Sequence, residues 1–321
     1  IVFPYHIEQD SLEESRLADK KYGSTKRGIA PVYGDKYLKK AIHMGELRYP
    51  DKLKAHLDDV LKWKNLTITK IYEAEPFQLD ELMDWVTEFG GRLLPHITDT
   101  GDFLRKAYAE GKNILYEAQL GALRDVDYGI YPYTSSSNPL ASYAPIGSGA
   151  PDIKVDKVIG VVKAFSTCVG EGPFIAEWFG DDAKKLREAG GEYGAATGRP
   201  RRVGPIDLPA TRYGVKVQGA TEIAFTKLDV LSYMDEIPVC TAYDINGSIT
   251  RDFPFHSLLD DAKPVFETMP GWKCDITGAR KYDELPGEAR RYIEYIENEI
   301  HCPMTYISVG PGRDEIILRK A

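Results

Sequence analysis

Short apolar runs recur along this chain, and most follow a helical pattern and end in polar or glycine-rich residues. Asp102 to Glu110 has helical spacing that Gly111 can terminate, and Ile114 to Tyr116 then leads into Glu117-Ala118-Gln119. Val158 to Phe165 leads into Ser166-Thr167-Cys168-Val169-Gly170, and Pro209 to Val217 precedes a strand at Ile223-Ala224-Phe225. Gly287 to Ile300, with apolar Ala289, Ile293, Ile296 and Ile300, precedes Tyr306-Ile307-Ser308. Such alternation predicts an α/β fold with a mainly parallel central sheet and flanking helices, whose ligands collect at the strand ends. Other stretches read as helical or irregular insertions. Ser11 and Glu14 have capping-box spacing for a helix reaching Tyr22. Asp80 to Phe89 is amphipathic and stops at Gly90-Gly91, while Tyr131 to Pro151 has no period and predicts a functional loop. Residues 1–321 therefore read as a single α/β domain, mostly helical over 1–112 and sheet-forming over 113–321.

Composition narrows the function. Hydrophobic residues at 43% and charged residues at 28% are ordinary globular values over 321 residues. A net charge of -8 argues against a general nucleic-acid or anionic-membrane binder, so any anion site must be a local basic cluster. No apolar stretch is long enough to span a bilayer, and IVFPYHIEQD lacks a signal-peptide pattern, so a cytoplasmic protein is expected. The opening on Ile1 rather than Met suggests a processed or trimmed polypeptide. Cys168, Cys240, Cys274 and Cys302 have no CxxC spacing and read as free thiols.

The apolar Ile223 strand ends abruptly in Thr226-Lys227-Leu228-Asp229. A carboxylate there can accept the N1 and N2 protons of guanine while a lysine stem lies on the base; a solvated ion pair would use the same residues. The loop from Gly194 to Arg202 carries Arg199, Arg201 and Arg202, which suit carboxylates or phosphates, or equally a solvated basic loop or intersubunit salt bridges. Gly23-Ser24-Thr25-Lys26-Arg27-Gly28 offers close backbone approach to an anion, with a flexible basic turn as the alternative. Gln119 with Glu117, Thr134 to Ser137, and the Ser308-to-Arg313 turn are further polar strand ends. No GxxxxGK[ST] loop and no nucleophile elbow occurs, and the dispersed histidines, His6, His96 and His256 among them, read as structural.

In this order, the segments GSTKRGIAPVYGDKY, LYEAQLGALRDVDYGIYPYTSSSNPL, VVKAFSTCVGEGPF, GAATGRPRRVG, FTKLDVL, ETMPGWK and SVGPGRDE resemble the adenylosuccinate synthetase family. The resemblance spans almost the whole chain. It implies a P-loop-NTPase-related fold with helical and loop insertions, and a Mg2+-dependent ligase that joins L-aspartate to IMP at the expense of GTP. By that resemblance Thr25 would contact the IMP phosphate, Gln119 and Ser135 would hold IMP, and Val169 would line the nucleotide and aspartate pocket. Thr197 and Arg199 would belong to the aspartate loop, and Arg201 would lie near the GTP phosphates and ribose. Lys227 and Asp229 would read guanine, bordered by Ser308, Gly310 and Pro311. Lys39 would reach across a homodimer interface to the IMP phosphate of the other subunit.

The chain departs from the family pattern in places. The family more often has Arg at Lys39, a second Thr at Ala196 and Arg at Cys168, and the Gln of its EGAQG segment is shifted by one here. Its phosphate loop, its catalytic and magnesium-binding Asp and its catalytic His precede the position of Ile1. The resemblance thus implies no catalytic or metal residue among those read here, and an expectation that these residues keep nucleotide affinity with negligible turnover. A non-catalytic guanine-nucleotide or IMP-binding dimerisation module is the alternative. A GTPase switch is disfavoured, because Asp229 has no phosphate loop or switch threonine to work with.

Overall fold

The structure, a computed structural model, describes residues 1–194 and 198–319. Its first part is helical: α1 (Pro4–Leu17), α2 (Ile29–Tyr37), α3 (Pro50–Lys70), α4 (Leu79–Trp85), the single turn α5 (Gly91–Leu93) and α6 (Thr100–Ala109). In α3, Leu53, Leu57, Val60, Leu61, Lys64 and Ile68 recur at helical spacing and face inward. The apolar members from Leu53 to Leu61 join Phe3, Tyr5, Ile42, Leu47, Leu82 and Val86 in one core. A short helix, α7 (Ala144–Ser148), interrupts the Tyr131–Pro151 stretch.

The main sheet has the order β1 (Ile159–Lys163), β5 (Glu222–Thr226), β9 (Met304–Ser308), β10 (Ile316–Leu318). β1, β5 and β9 are parallel, and β10 closes the edge antiparallel. Between them lie the ribbon β2 (Ser166–Cys168) and β3 (Arg202–Gly204), then α8 (Gly180–Gly190), β4 (Ile206–Asp207), α9 (Leu208–Gln218) and α10 (Gly287–Ile300). Phe225, Ile223, Ile307, Ile293 and Ile296 are fully buried in the core between sheet and helices. A second sheet pairs β4 with β6 (Glu236–Ile245), and β6 with β7 (Ser248–Thr250) and the nine-residue β8 (Ala262–Pro270).

Three local expectations fail: the Asp80–Phe89 helix does not stop at Gly90-Gly91, since helical turns continue through both glycines, each at a negative, helical φ, to His96. The Ser11/Glu14 capping box does not form, because Pro4 already opens α1 and Ser11 lies mid-helix. Glu14 instead turns inward to accept the backbone N–H groups of Tyr22 and Gly23, each at 3.1 Å, and α1 ends at Leu17. Ile114 to Tyr116 lies outside any described strand; Leu115 is 89% exposed, while Ile114 and Tyr116 are only partly buried, so the apolar trio joins no ladder.

Candidate functional site

Three parallel strands end side by side. Lys163 of β1 is paired in register with Thr226 of β5, and Phe225 of β5 with Ile307 of β9. Buried Phe225 and Leu228 anchor the end of β5, and Lys227 between them takes a left-handed φ of 60° that turns the chain out of the sheet. Asp229 then opens a short 3-10 turn, Asp229–Tyr233. Burial, with the charges of Glu315 and Asp275 nearby, raises the Asp229 pKa above the usual carboxylate range, opposed by its own backbone N–H and Lys227. Among the described residues its carboxylate accepts only from that backbone N–H, which leaves acceptor capacity for a ligand.

The neighbouring turn after β9 is tight. The Ser308 hydroxyl donates to the Gly310 carbonyl at 2.7 Å, and Glu315 folds beneath the turn. A Cβ at Gly310 would sit 2.5 Å from Glu315 Oε2, so a larger residue there would push the Glu315 carboxylate aside. Ser308, Gly310 and Pro311 thus border the same sheet edge as Lys227 and Asp229.

Behind this edge lies a residue to which no sequence pattern pointed. Glu192, fully buried, follows α8 and receives three cations: Lys163 Nζ at 2.8 Å, Arg201 Nη1 at 2.6 Å and Lys227 Nζ at 3.3 Å. Burial alone would raise its pKa, yet the hydrogen bonds from Lys163 and Arg201 and the charges of Lys163 and Lys227 hold it below the usual range. Lys163 is lowered in turn, by burial first and then by the neighbouring Arg201 and Lys227 charges. The Lys227 ammonium also donates to the Gly190 carbonyl, so what it offers outward is its aliphatic stem.

The same residues close the base of the arginine loop. Arg201 N–H donates to the Glu192 carbonyl at 2.9 Å, and Gly194 N–H to the Arg199 carbonyl at 2.8 Å. Arg199 reaches Glu171 at 3.3 Å. Thr197, with Ala195 and Ala196, lies outside the described residues. Arg202 turns away from the loop and forms a hydrogen-bonded pair with Glu177 at 2.9 Å.

A long open cleft of about 2240 Å³ lies against this edge, and Thr25, Gln119, Ser135, Val169, Lys163 and Arg201 line it. Lys227, Asp229, Ser308, Gly310 and Pro311 are not among its lining residues; Glu192 joins the two regions by bridging Lys227 and Arg201. The Thr25 loop is ordered from below by α1: Asp10 accepts Ser24 Oγ at 2.7 Å and Gly28 N–H at 2.9 Å, while Glu14 holds Tyr22 and Gly23. The Gly23 and Gly28 amides are already committed to carboxylates, so the exposed Thr25 and Arg27 are left to meet an anion.

Elsewhere in the cleft, Ser135 Oγ pairs with Ser137 Oγ at 2.8 Å, and Gln119 and Val169 are exposed. Arg124, another residue without a sequence signal, donates to Cys168 Sγ at 2.7 Å and to the Val169 carbonyl at 2.6 Å, tying the two cleft walls. Lys39 is exposed beyond the end of α2 with φ 61° and does not line the cleft, although its neighbour Leu38 does. His6 is buried and hydrogen-bonded to Asp35 at 2.9 Å, and Asp35 also holds buried Lys64 at 2.6 Å. That network joins α1, α2 and α3. Asp207 caps α9 through the Ala210 N–H and accepts the Tyr243 hydroxyl at 2.7 Å; burial pushes its pKa up to about 6.

Known proteins share this chain's sequence pattern and fold. The adenylosuccinate synthetase family profile matches residues 1–317. The chain is 45% identical to the adenylosuccinate synthetase of Halothermothrix orenii over 321 residues, which is all of this chain and 75% of that protein. It is 45% identical to that of Chlorobium phaeobacteroides over 320 residues, 99% of this chain and 74% of the relative. The solved structure of fully ligated adenylosuccinate synthetase from Plasmodium falciparum superposes with a TM-score of 0.92 at 33% identity, covering 98% of this chain and 75% of that one.

Proposed function

The chain belongs to the adenylosuccinate synthetase family, and on that premise we propose how its residues divide the three substrates of the family reaction. That reaction is the GTP-dependent joining of L-aspartate to IMP, which yields adenylosuccinate, GDP and phosphate. Guanine is read at the carboxyl ends of β5 and β9. There the Asp229 carboxylate accepts the N1 and N2 protons of the base, the Lys227 stem covers its face, and Ser308, Gly310 and Pro311 border it. Arg201 sits between this edge and the cleft, placed for the GTP phosphates and ribose. IMP lies in the cleft, with Thr25 at its phosphate and Gln119, Ser135 and Val169 along its nucleoside. Arg199 grips the aspartate carboxylates with a bidentate fork, and Thr197 belongs to the same loop.

The observation that carries this reading is the joining of two regions by one buried carboxylate. Glu192 pairs with Arg201, which lines the cleft, and with Lys227, which begins the base-reading turn. A purine nucleotide at each region would then bring its phosphates toward the shared cationic centre, and positioning with charge stabilisation is what phosphoryl transfer chiefly needs. Mg2+ enters with the GTP phosphates in this proposal. Among the described residues no three His, Cys, Asp or Glu side chains gather into a metal site, so no residue of this chain is assigned to the ion.

The same reading takes residues 1–321 as one α/β unit acting in the cytoplasm as a homodimer, in which Lys39 reaches the partner subunit's IMP. No helix among the described residues is long and apolar enough to cross a membrane. The deciding experiment is Asp229→Asn, assayed for nucleotide use and nucleotide binding. Replacing an acceptor oxygen by an amide donor should weaken GTP and shift preference toward xanthosine triphosphate, whose N1–C2 edge presents the complementary pattern. An unchanged preference for GTP refutes the assignment.

A further inference from the structure

We infer that Glu192 is a positioning residue for the GTP half of the site, its carboxylate fixing Lys227 and Arg201 as a single unit. The inference rests on the assignment of Lys227, Asp229 and Arg201 to GTP. Glu192 is fully buried, and both of its oxygens are engaged, Oε1 by Lys163 and Lys227 and Oε2 by Arg201. Its backbone is fixed as well, since its N–H donates to the Arg187 carbonyl at 2.9 Å and its carbonyl accepts Arg201 N–H at 2.9 Å.

Charge counting separates a positioning role from a purely structural one. A single cation would neutralise a buried carboxylate, and each additional one adds repulsion in a site of low dielectric. Three cations against one carboxylate leave a surplus of two positive charges on Lys163, Arg201 and Lys227. An arriving polyanion offsets that surplus, so Glu192 holds the cations in place for a ligand rather than cancelling them. The consequence for Lys227 is geometric. With its ammonium held by Glu192 and the Gly190 carbonyl, its stem cannot swing away from the position beside Asp229. Lys163 extends the unit to β2 by donating to Thr167 Oγ1 at 2.9 Å, two residues before Val169.

The test uses Glu192→Gln and Glu192→Asp in the full chain, with steady-state kinetics in GTP and IMP separately and a direct titration with GDP. Losing a charge-assisted anchor should raise the KM for GTP and weaken GDP binding about 10- to 100-fold. The KM for IMP should stay as in the wild type. Glu192→Asp, which keeps the charge on a stem shorter by one methylene, should recover part of the loss; if Glu192→Gln does not fold, Glu192→Asp decides by the same comparison. A folded variant with unchanged KM for GTP, or an equal rise for GTP and IMP, overturns the inference. Asp229→Asn run alongside separates the two levels. If it weakens GTP while Glu192→Gln does not, only the role of Glu192 falls; if neither affects GTP, the assignment of GTP to this edge falls with it.

Discussion

Replacing Asp207 by Asn should flatten the pH dependence of stability between pH 4 and pH 7. Asp207 is 4% exposed, and its carboxyl pKa is raised by burial from 3.8 to about 6, against the opposing pull of the Tyr243 hydroxyl and the Ala210 N–H. The sign follows from the direction of the shift. An acid whose pKa is higher in the folded state is better tolerated ionised in the unfolded chain, so its burial costs stability above the folded pKa and nothing well below the unfolded one. At about 1.4 kcal/mol per pKa unit, the cost is about 3 kcal/mol at pH 7 and well under about 1 kcal/mol at pH 4. Asparagine keeps an oxygen for the α9 cap and for Tyr243 but never ionises. Urea unfolding of both proteins at half-unit pH intervals isolates the effect, because every other titrating group is common to them. The variant should gain roughly 2 kcal/mol on the wild type between pH 4 and pH 7. Parallel stability profiles across that window would refute the reasoning.

Three further outcomes test other parts of the molecule. Gly28→Ala forces a side chain onto φ 75° and places its Cβ 2.9 Å from the His6 backbone; thermal unfolding should show a loss above the ~1–2 kcal/mol typical of the left-handed region, with a raised KM for IMP. Tyr292→Phe removes the buried hydroxyl that donates to the Ala164 carbonyl at 2.7 Å, at a cost of about 1–3 kcal/mol read by urea denaturation; an unchanged midpoint would contradict it. Mixing Lys39→Ala with Thr25→Ala subunits should restore activity toward roughly a quarter of wild type if Lys39 serves the partner's site, since half the dimers are hybrids with one intact site; no recovery would place Lys39 in its own subunit's site.

What was legible in the sequence is what local spacing encodes. β5, β9, α10 and the polar ends after Phe225 and Ile307 announce themselves through short apolar runs and a period of 3.6, and they stand where that pattern puts them. The long β6–β8 pairing was not legible, because burial along β6 is nearly continuous while β8 is mostly exposed, so neither strand alternates. The Ser11/Glu14 pattern misled for a related reason. A carboxylate three residues after a serine suits a cap, but the same carboxylate on the inner face of a helix can hold a neighbouring loop, and only the packing of α1 against that loop decides. Glu192 is the extreme case, one glutamate between Gly191 and Tyr193 whose partners lie 9 to 35 residues away in sequence.

The residues proposed to touch ligands and the residues that place them therefore obey different rules. Thr25, Arg27, Arg199, Gln119 and Val169 are exposed and sit on loops, where their types alone suggest chemistry. Beneath them Asp10, Glu14 and Glu192 are buried carboxylates that bind the chain's own donors. A cluster built to receive several anions must gather cations and N–H groups that would otherwise repel one another or face solvent at random. Internal carboxylates fix those groups at a modest electrostatic loss, because each leaves surplus positive charge or an adjacent free donor for the ligand. The Thr25 loop and the Lys227–Arg201 pair solve this problem in the same way, the first through two carboxylates of α1 and the second through Glu192. Truncating either set should thus act on different substrates, IMP for Asp10 and Glu14, GTP for Glu192, although all three are buried acids without a ligand of their own.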